Sequence, residues 1–272
     1  EMNIRDWSSD VCSSDLVAPG PATTRLMSEI PVRRAPPLPT RPNLRDLGGL
    51  PAAEGARVRP GRLYRGPALH DLTGEEREAL APLDLRHVVD FRGRDEAAAR
   101  PAELPGRRLH LAIEPTAAAR LMQVLSTPDP SPEAISGAMT ETYRDFVRAN
   151  ADVFARFLAL LPEVEGEPLL FHCTAGKDRT GFAAALILHA LGAQPDTIAE
   201  DYLATNALWR PDPELAAMIP EIAHAAIYKV APEYLEAALE ELDRAHGGPH
   251  AFADRAMGGE ARRRAWAEAH LD

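Results

Sequence analysis

The chain has 272 residues, of which 45% are hydrophobic and 26% charged, and carries a formal net charge of −11. That size and balance suit one medium globular domain, and the acidity excludes a general electrostatic attraction to nucleic acid. No stretch approaches 18 uninterrupted apolar residues and the start lacks an apolar signal core, so no transmembrane segment is expected and the cytoplasm is the default location, with signal-less export left open.

Residues 1–42 read as a disordered or extraneous lead-in. Ser8-Ser9-Asp10 returns as Ser13-Ser14-Asp15 without helical or strand periodicity, and resembles translated adaptor sequence, which would make Met27 the start. Pro31, Pro36, Pro37, Pro39 and Pro42 then favour an extended path. Cys12 falls here, so Cys173 is the one cysteine of the expected domain, 43–272, and no disulfide framework exists.

From Asn43 onward, Leu63-Tyr64-Arg65 reads as a short strand. Thr73 and Glu76 form a capping box for a helix over about 74–81. Leu85–Phe91 is a buried-type strand and Arg108–Ile113 an alternating one. A long helical region runs from Glu141 to Leu161 and ends at Pro162 and Gly166. Leu169-Leu170-Phe171 is a short buried strand, and 182–191 is apolar almost all round, predicting a central helix stopped by Gly192. From Asp196 the pattern is mostly helical. Tyr234, Leu235, Ala238 and Leu242 form one stripe; Leu215, Met218, Ile219 and Ile222 form another, read as core packing or as a lid. Strands alternating with helices imply an α/β layer fold with a helical C-terminal part.

The chemistry concentrates in 172–181, HCTAGKDRTG, between the Leu169-Leu170-Phe171 strand and the central helix. A helix N-terminus presents unpaired amides and a positive dipole end, so the amides of Thr174, Ala175, Gly176, Lys177, Asp178 and Arg179 are placed to surround a tetrahedral oxyanion such as a phosphate. Gly176 permits the curl. Arg179 offers a planar fork for two oxygens, and Lys177 a further cation. The same field favours the Cys173 thiolate as nucleophile. Thr180 is expected to donate to the sulfur and His172 to brace the loop. An inert core cysteine, or a metal site on His172 and Cys173, explains this spacing poorly; the latter lacks further ligands.

HCTAGKDRTG resembles the Cys-x5-Arg-Thr/Ser loop of protein tyrosine phosphatases, and more narrowly the bacterial family whose loop reads His-Cys-x-x-Gly-Lys-Asp-Arg-Thr-Gly. Asn43-Leu44-Arg45-Asp46-Leu47-Gly48-Gly49, Tyr64-Arg65-Gly66 and Val89-Asp90-Phe91-Arg92 agree with that family in order and spacing. The resemblance implies a cysteine-phosphatase fold: a mostly parallel sheet of four or five strands flanked by helices. It also implies hydrolysis of phosphate monoesters, phosphotyrosine foremost, without metal or other cofactor. Phosphoinositide or dual-specificity activity is the alternative. A pseudoenzyme normally lacks the cysteine or arginine, and arsenate reduction recruits more cysteines. No Trp-Pro-Asp occurs, so the proton donor is Asp178, inside the loop, or Asp90, at a strand end; Asp90 reads equally well as an ion-pair partner of Arg92 or Arg65. Asn43, Arg45 and Asp46 are expected to brace the site floor, and Gly48 and Gly49 to make a turn.

Overall fold

The computed structural model describes residues 37–272 except 103, 212 and 218, with no side chain described at 214 and 215. The expectations for residues 1–36, Cys12 included, and for Leu215 and Met218 lie outside the described residues. Packed chain begins before Asn43: Leu38 is 1% exposed in the core, and Thr40 and Arg41 both bond the Glu76 carboxylate.

Five strands make one sheet in the order β1 (Arg45–Asp46), β2 (Leu63–Gly66), β5 (Leu169–His172), β3 (His87–Asp90), β4 (Arg107–His110). Only the β1–β2 pair is antiparallel. Register aligns Gly66, His172 and Asp90 across the three central strands, so β2, β5 and β3 end together. Ligands of open α/β sheets bind beyond such carboxyl ends, where strand order reverses.

The period of two sorts each strand between two cores. Val89, Leu169 and Phe171 enter the larger one with Phe91, Phe154, Phe157 and Phe182; Val88 and Leu170 enter a smaller one with Leu44, Tyr64, Leu72 and Leu80. Helix α1 (Gly74–Leu80) starts at the expected capping box, with both reciprocal bonds formed. The short α2 (Arg94–Ala99) and α3 (Thr116–Leu125), like β1, are not among the expected elements.

The long helical region is two helices, α4 (Pro132–Arg148) and α5 (Ala151–Leu160). Ser131 caps α4 ten residues upstream of the predicted start, and Asn150 interrupts the run by donating its side-chain amide to the Asp145 carbonyl. Strand β4 is shorter than 108–113 because its partner β3 stops at Asp90. The amides of Leu111 and Ile113 still reach the carbonyls of Asp90 and Phe91.

Helix α6 (Asp178–Ala190) follows β5 and is buried on nearly every side; Phe182, Leu186, Ile187 and Leu188 are each at most 1% exposed. At about 2 kcal/mol per such side chain, this anchors the helix N-terminus firmly. Then come α7 (Pro195–Leu208), α8 (Pro213–Ala217), α9 (His224–Tyr228), α10 (Pro232–His246), α11 (Gly248–Met257) and α12 (Glu260–Ala269). Tyr234, Leu235, Ala238 and Leu242 are buried on α10 as their stripe predicts. Of the other stripe, Ile219 packs against the larger core and Ile222 is 41% exposed. No helix of the described residues is long and apolar enough to cross a membrane.

Candidate active site

Cys173 follows β5 on the side of Leu169 and Phe171, and is a free thiol 2% exposed. The chain then curls through 174–177 into α6. Gly176 has φ +67°, and a Cβ there would lie 2.3 Å from the Gly66 carbonyl carbon and 2.5 Å from the Pro67 nitrogen, so the loop rests on the backbone at the end of β2.

Every carbonyl from Cys173 to Lys177 has a fixed donor. His172 Nδ1 lies 3.1 Å from the Cys173 oxygen, and the Ala68 amide 3.0 Å from that of Thr174. Asn43 Nδ2 donates to Ala175 O at 2.9 Å and to Gly176 O at 3.3 Å. Arg65 donates to Gly176 O at 3.0 Å, and the Gly181 amide to Lys177 O at 2.8 Å. Behind them Asp201, 1% exposed, takes Arg45 at 3.0 Å and Arg65 at 2.5 Å, while Arg45 also holds Asn43 Oδ1 at 2.6 Å. No group of the described residues accepts from the amides of 174–179. Oxygens tied outward leave the N–H groups directed inward, which makes the concavity that an anion requires.

Arg179 is held from the opposite side. Its Nη1 donates to Glu96 Oε2 at 2.6 Å and to Ile113 O at 2.9 Å, and its Nη2 to Glu96 Oε1 at 3.1 Å. A guanidinium has five N–H bonds, so the Nε–H and one Nη2–H remain for a ligand. Burial opposes the Arg179 cation, but the charges of Cys173, Glu96 and Asp178 outweigh it and hold the group above its ordinary range. Burial likewise opposes Glu96, yet bonds from Arg179, Thr174 Oγ1 and the Gly93 amide bring its carboxyl down to about 2.

Lys177 and Lys229 are the only lysines in the chain. Lys177 Nζ is buried and donates to Asp178 Oδ1 at 2.7 Å and, at 3.4 Å, to the backbone oxygen of Lys229, whose side chain is exposed. Asp178 Oδ1 also accepts from Tyr143 at 2.9 Å, and the Tyr143 hydroxyl from Tyr202 at 2.8 Å. Asp178, the first residue of α6, thus sits inside the loop as expected, with Lys177 committed to it.

Asp90 lies elsewhere. Arg92 grips both its oxygens at 2.6–3.0 Å, and burial is outweighed by these bonds and by His172, so its carboxyl is lowered. Asp90 and His172 line a cavity of about 200 Å³ with Val88, Arg92 and His110, on the sheet face of the smaller core. Burial pushes His172 down, and its Nε2 has no partner among the described residues. The Thr180 hydroxyl is buried but bonds neither the sulfur nor any other described group, unlike the expectation. Asp46, the last residue of β1, accepts the amides of Gly48 and Gly61 at 2.8 and 2.7 Å. Among the described residues no cluster of three His, Cys, Asp or Glu is arranged to hold a metal.

Residues 36–271 match the tyrosine phosphatase family. The chain belongs to that family. It is 32% identical over 250 residues to the triple specificity protein phosphatase PtpB of Mycobacterium tuberculosis, covering 77% of this chain and 89% of PtpB. It is 43% identical over 169 residues to a Cupriavidus necator protein named as a tyrosine-protein phosphatase; this spans 60% of each chain, so under two thirds of that relative. A tyrosine-protein phosphatase of Nostoc commune is 28% identical over 158 residues, 56% of this chain and 51% of that one.

Within this member of the tyrosine phosphatase family, four groups around the candidate site escaped the sequence reading: Glu96, Asp201, Tyr143 and Tyr202. Glu96 had a weak signal, an acid in the first turn after Val89-Asp90-Phe91-Arg92. Tyr143 already belongs to the apolar spacing of α4, nothing local marks Tyr202, and Asp201 is 156 residues from Arg45.

Proposed function

We propose that this member of the tyrosine phosphatase family hydrolyses phosphate monoesters, protein phosphotyrosine foremost, through a phosphocysteine on Cys173. The observation carrying this is the 173–179 loop: its carbonyls are tied outward, its amides have no acceptor among the described residues, and a buried thiol and a half-spent guanidinium belong to the same loop. The phosphate dianion takes the loop amides and the free edge of Arg179. Cys173 Sγ attacks phosphorus as the ester P–O bond breaks, and Asp178 gives its proton to the leaving oxygen. Water then attacks the phosphocysteine, returns a proton to Asp178 and frees the thiolate. Both Glu96 oxygens are spent on Arg179, and Asp90 is gripped by Arg92 outside the 173–179 loop.

Phosphoinositide or dual-specificity activity is the second reading, favoured by the triple specificity named for PtpB. The commitment of Lys177 to Asp178 weighs against it, since that amine is not free for a ring phosphate. A panel of phosphotyrosine, phosphoserine and phosphothreonine peptides and inositol lipids, compared by kcat/KM, tests both. The first reading predicts phosphotyrosine peptides ahead by at least about tenfold and no turnover by Cys173→Ser. Equal or better rates on lipids would overturn the preference, and turnover by Cys173→Ser would overturn the mechanism.

A further inference from the structure

We infer that Tyr143, backed by Tyr202, is a positioning residue that fixes which oxygen of Asp178 carries the catalytic proton. This rests on Asp178 being the proton donor proposed above. Asp178 Oδ1 receives two hydrogen bonds, from Lys177 Nζ at 2.7 Å and from the Tyr143 hydroxyl at 2.9 Å. Oδ2 has none among the described residues. An oxygen already accepting twice is a poor place for a proton, so the protonated acid carries it on Oδ2. Both Oδ1 bonds survive in either protonation state, because the carbonyl oxygen of a neutral carboxyl still accepts. The carboxyl is therefore held in one orientation through the whole cycle.

Tyr143 is suited to this. It projects from the middle of α4, is fully buried, and its ring packs against Phe146, Tyr202 and Tyr234. Its own oxygen accepts from Tyr202 at 2.8 Å, so the Tyr143 proton is directed at Asp178. Burial first, and then the Asp178 charge, raise the Tyr143 hydroxyl far above its ordinary 10, so it stays a donor at every working pH. The charged and titratable groups facing Asp178 are Lys177, Arg179, Tyr143, Tyr202 and Tyr234. Of these, Tyr234 has its own partner in Ser136 at 3.2 Å.

In the first step the Cys173 Sγ–P bond forms, the ester P–O bond breaks, and the Oδ2 proton passes to the leaving oxygen. In the second, water adds to phosphorus, the S–P bond breaks, and the water proton passes to Oδ2. Tyr143 and Lys177 stabilise the carboxylate between the two.

The test compares wild type, Tyr143→Phe, Tyr202→Phe and Asp178→Asn on phenyl phosphate, whose leaving group needs a proton, and on 4-nitrophenyl phosphate, whose leaving group needs it far less. Removing the Tyr143 donor destabilises the carboxylate more than the neutral acid. The high-pH limb of kcat on phenyl phosphate should therefore move up by about half to one pH unit. Loss of orientation should lower kcat on phenyl phosphate by about tenfold, on 4-nitrophenyl phosphate by about threefold or less, and leave KM nearly unchanged. Tyr202→Phe, one hydroxyl further back, should shift the limb the same way by less, and carries the test if Tyr143→Phe melts too low to assay. An equal loss on both substrates with an unmoved limb overturns the inference. If Asp178→Asn keeps the limb and the leaving-group dependence, Asp178 is not the donor and the inference falls with it; an inactive Cys173→Ser would still leave the phosphocysteine reading standing.

Discussion

Replacing Glu96 by glutamine separates the charge that holds Arg179 from the shape that surrounds it. Glu96 meets the guanidinium with both oxygens, and its carboxyl is brought from 4.5 to about 2. A gap of that size corresponds to about 3 kcal/mol. With 25% of the Glu96 side chain exposed, about 2 kcal/mol is the expected loss in Glu96→Gln at pH 7. A carboxylate held below its unfolded value stabilises the fold fully above about pH 4.5 and loses that contribution as pH falls towards 2. The wild-type advantage in urea unfolding should thus shrink from about 2 kcal/mol at pH 7 to under about 1 kcal/mol at pH 3. The amide can still accept from Thr174 but cannot hold Arg179 as an ion pair, so kcat/KM should fall by about 10- to 100-fold. An advantage that is the same at both pH values, or an unaltered kcat/KM, would refute the idea that this carboxylate's charge positions the arginine.

Gly176→Ala should cost at least about 3 kcal/mol and most activity, since its Cβ would meet the Gly66 and Pro67 backbone at 2.3–2.5 Å; chemical denaturation and turnover check both. Asp201→Asn should destabilise by about 3–5 kcal/mol, because the buried carboxylate that takes both Arg45 and Arg65 would be lost, and a loss under about 1 kcal/mol in a urea titration would contradict it. Burial first, and then His250, push His189 down to about 4. The unfolded chain therefore binds a proton between about pH 6.5 and 4 that the folded chain refuses, and stability should fall as pH drops through that window. His189→Leu should remove about 2 kcal/mol of that fall, as read from melts at pH 7 and pH 4.5.

Legibility in the sequence followed the range of the interactions. The strands around Leu63, Val88 and Leu170 and the α1 capping box rest on contacts within a few residues, or on an alternation that survives in a single segment. The 172–181 loop stands out in the sequence because strand, turn and helix are consecutive there. Behind it, Asn43 and Arg45 reach the loop or its support, and Asp46, one residue further along the same motif, accepts from the turn at Gly48 and Gly61. The Tyr143–Tyr202 pair joins α4 to α7 across 59 residues, and nothing local distinguishes two core tyrosines from a hydrogen-bonded chain ending on a carboxylate. The break at Asn150 was missed for a related reason, since the apolar spacing continues across it while a side-chain amide takes over a backbone carbonyl.

The placement of the lysines gives the protein a chemical asymmetry that can be used directly. Arginine supplies every other side-chain cation, and the Lys177 amine is sequestered against a carboxylate. An acylating dye or spin label at mildly alkaline pH should therefore react at Lys229 and the chain's α-amine, leaving the interior untouched. Because the Lys229 carbonyl touches the Lys177 ammonium, such a tag would stand at the rim of the proposed active site, where it could report on the arrival of a phosphopeptide without an engineered cysteine competing with the nucleophile.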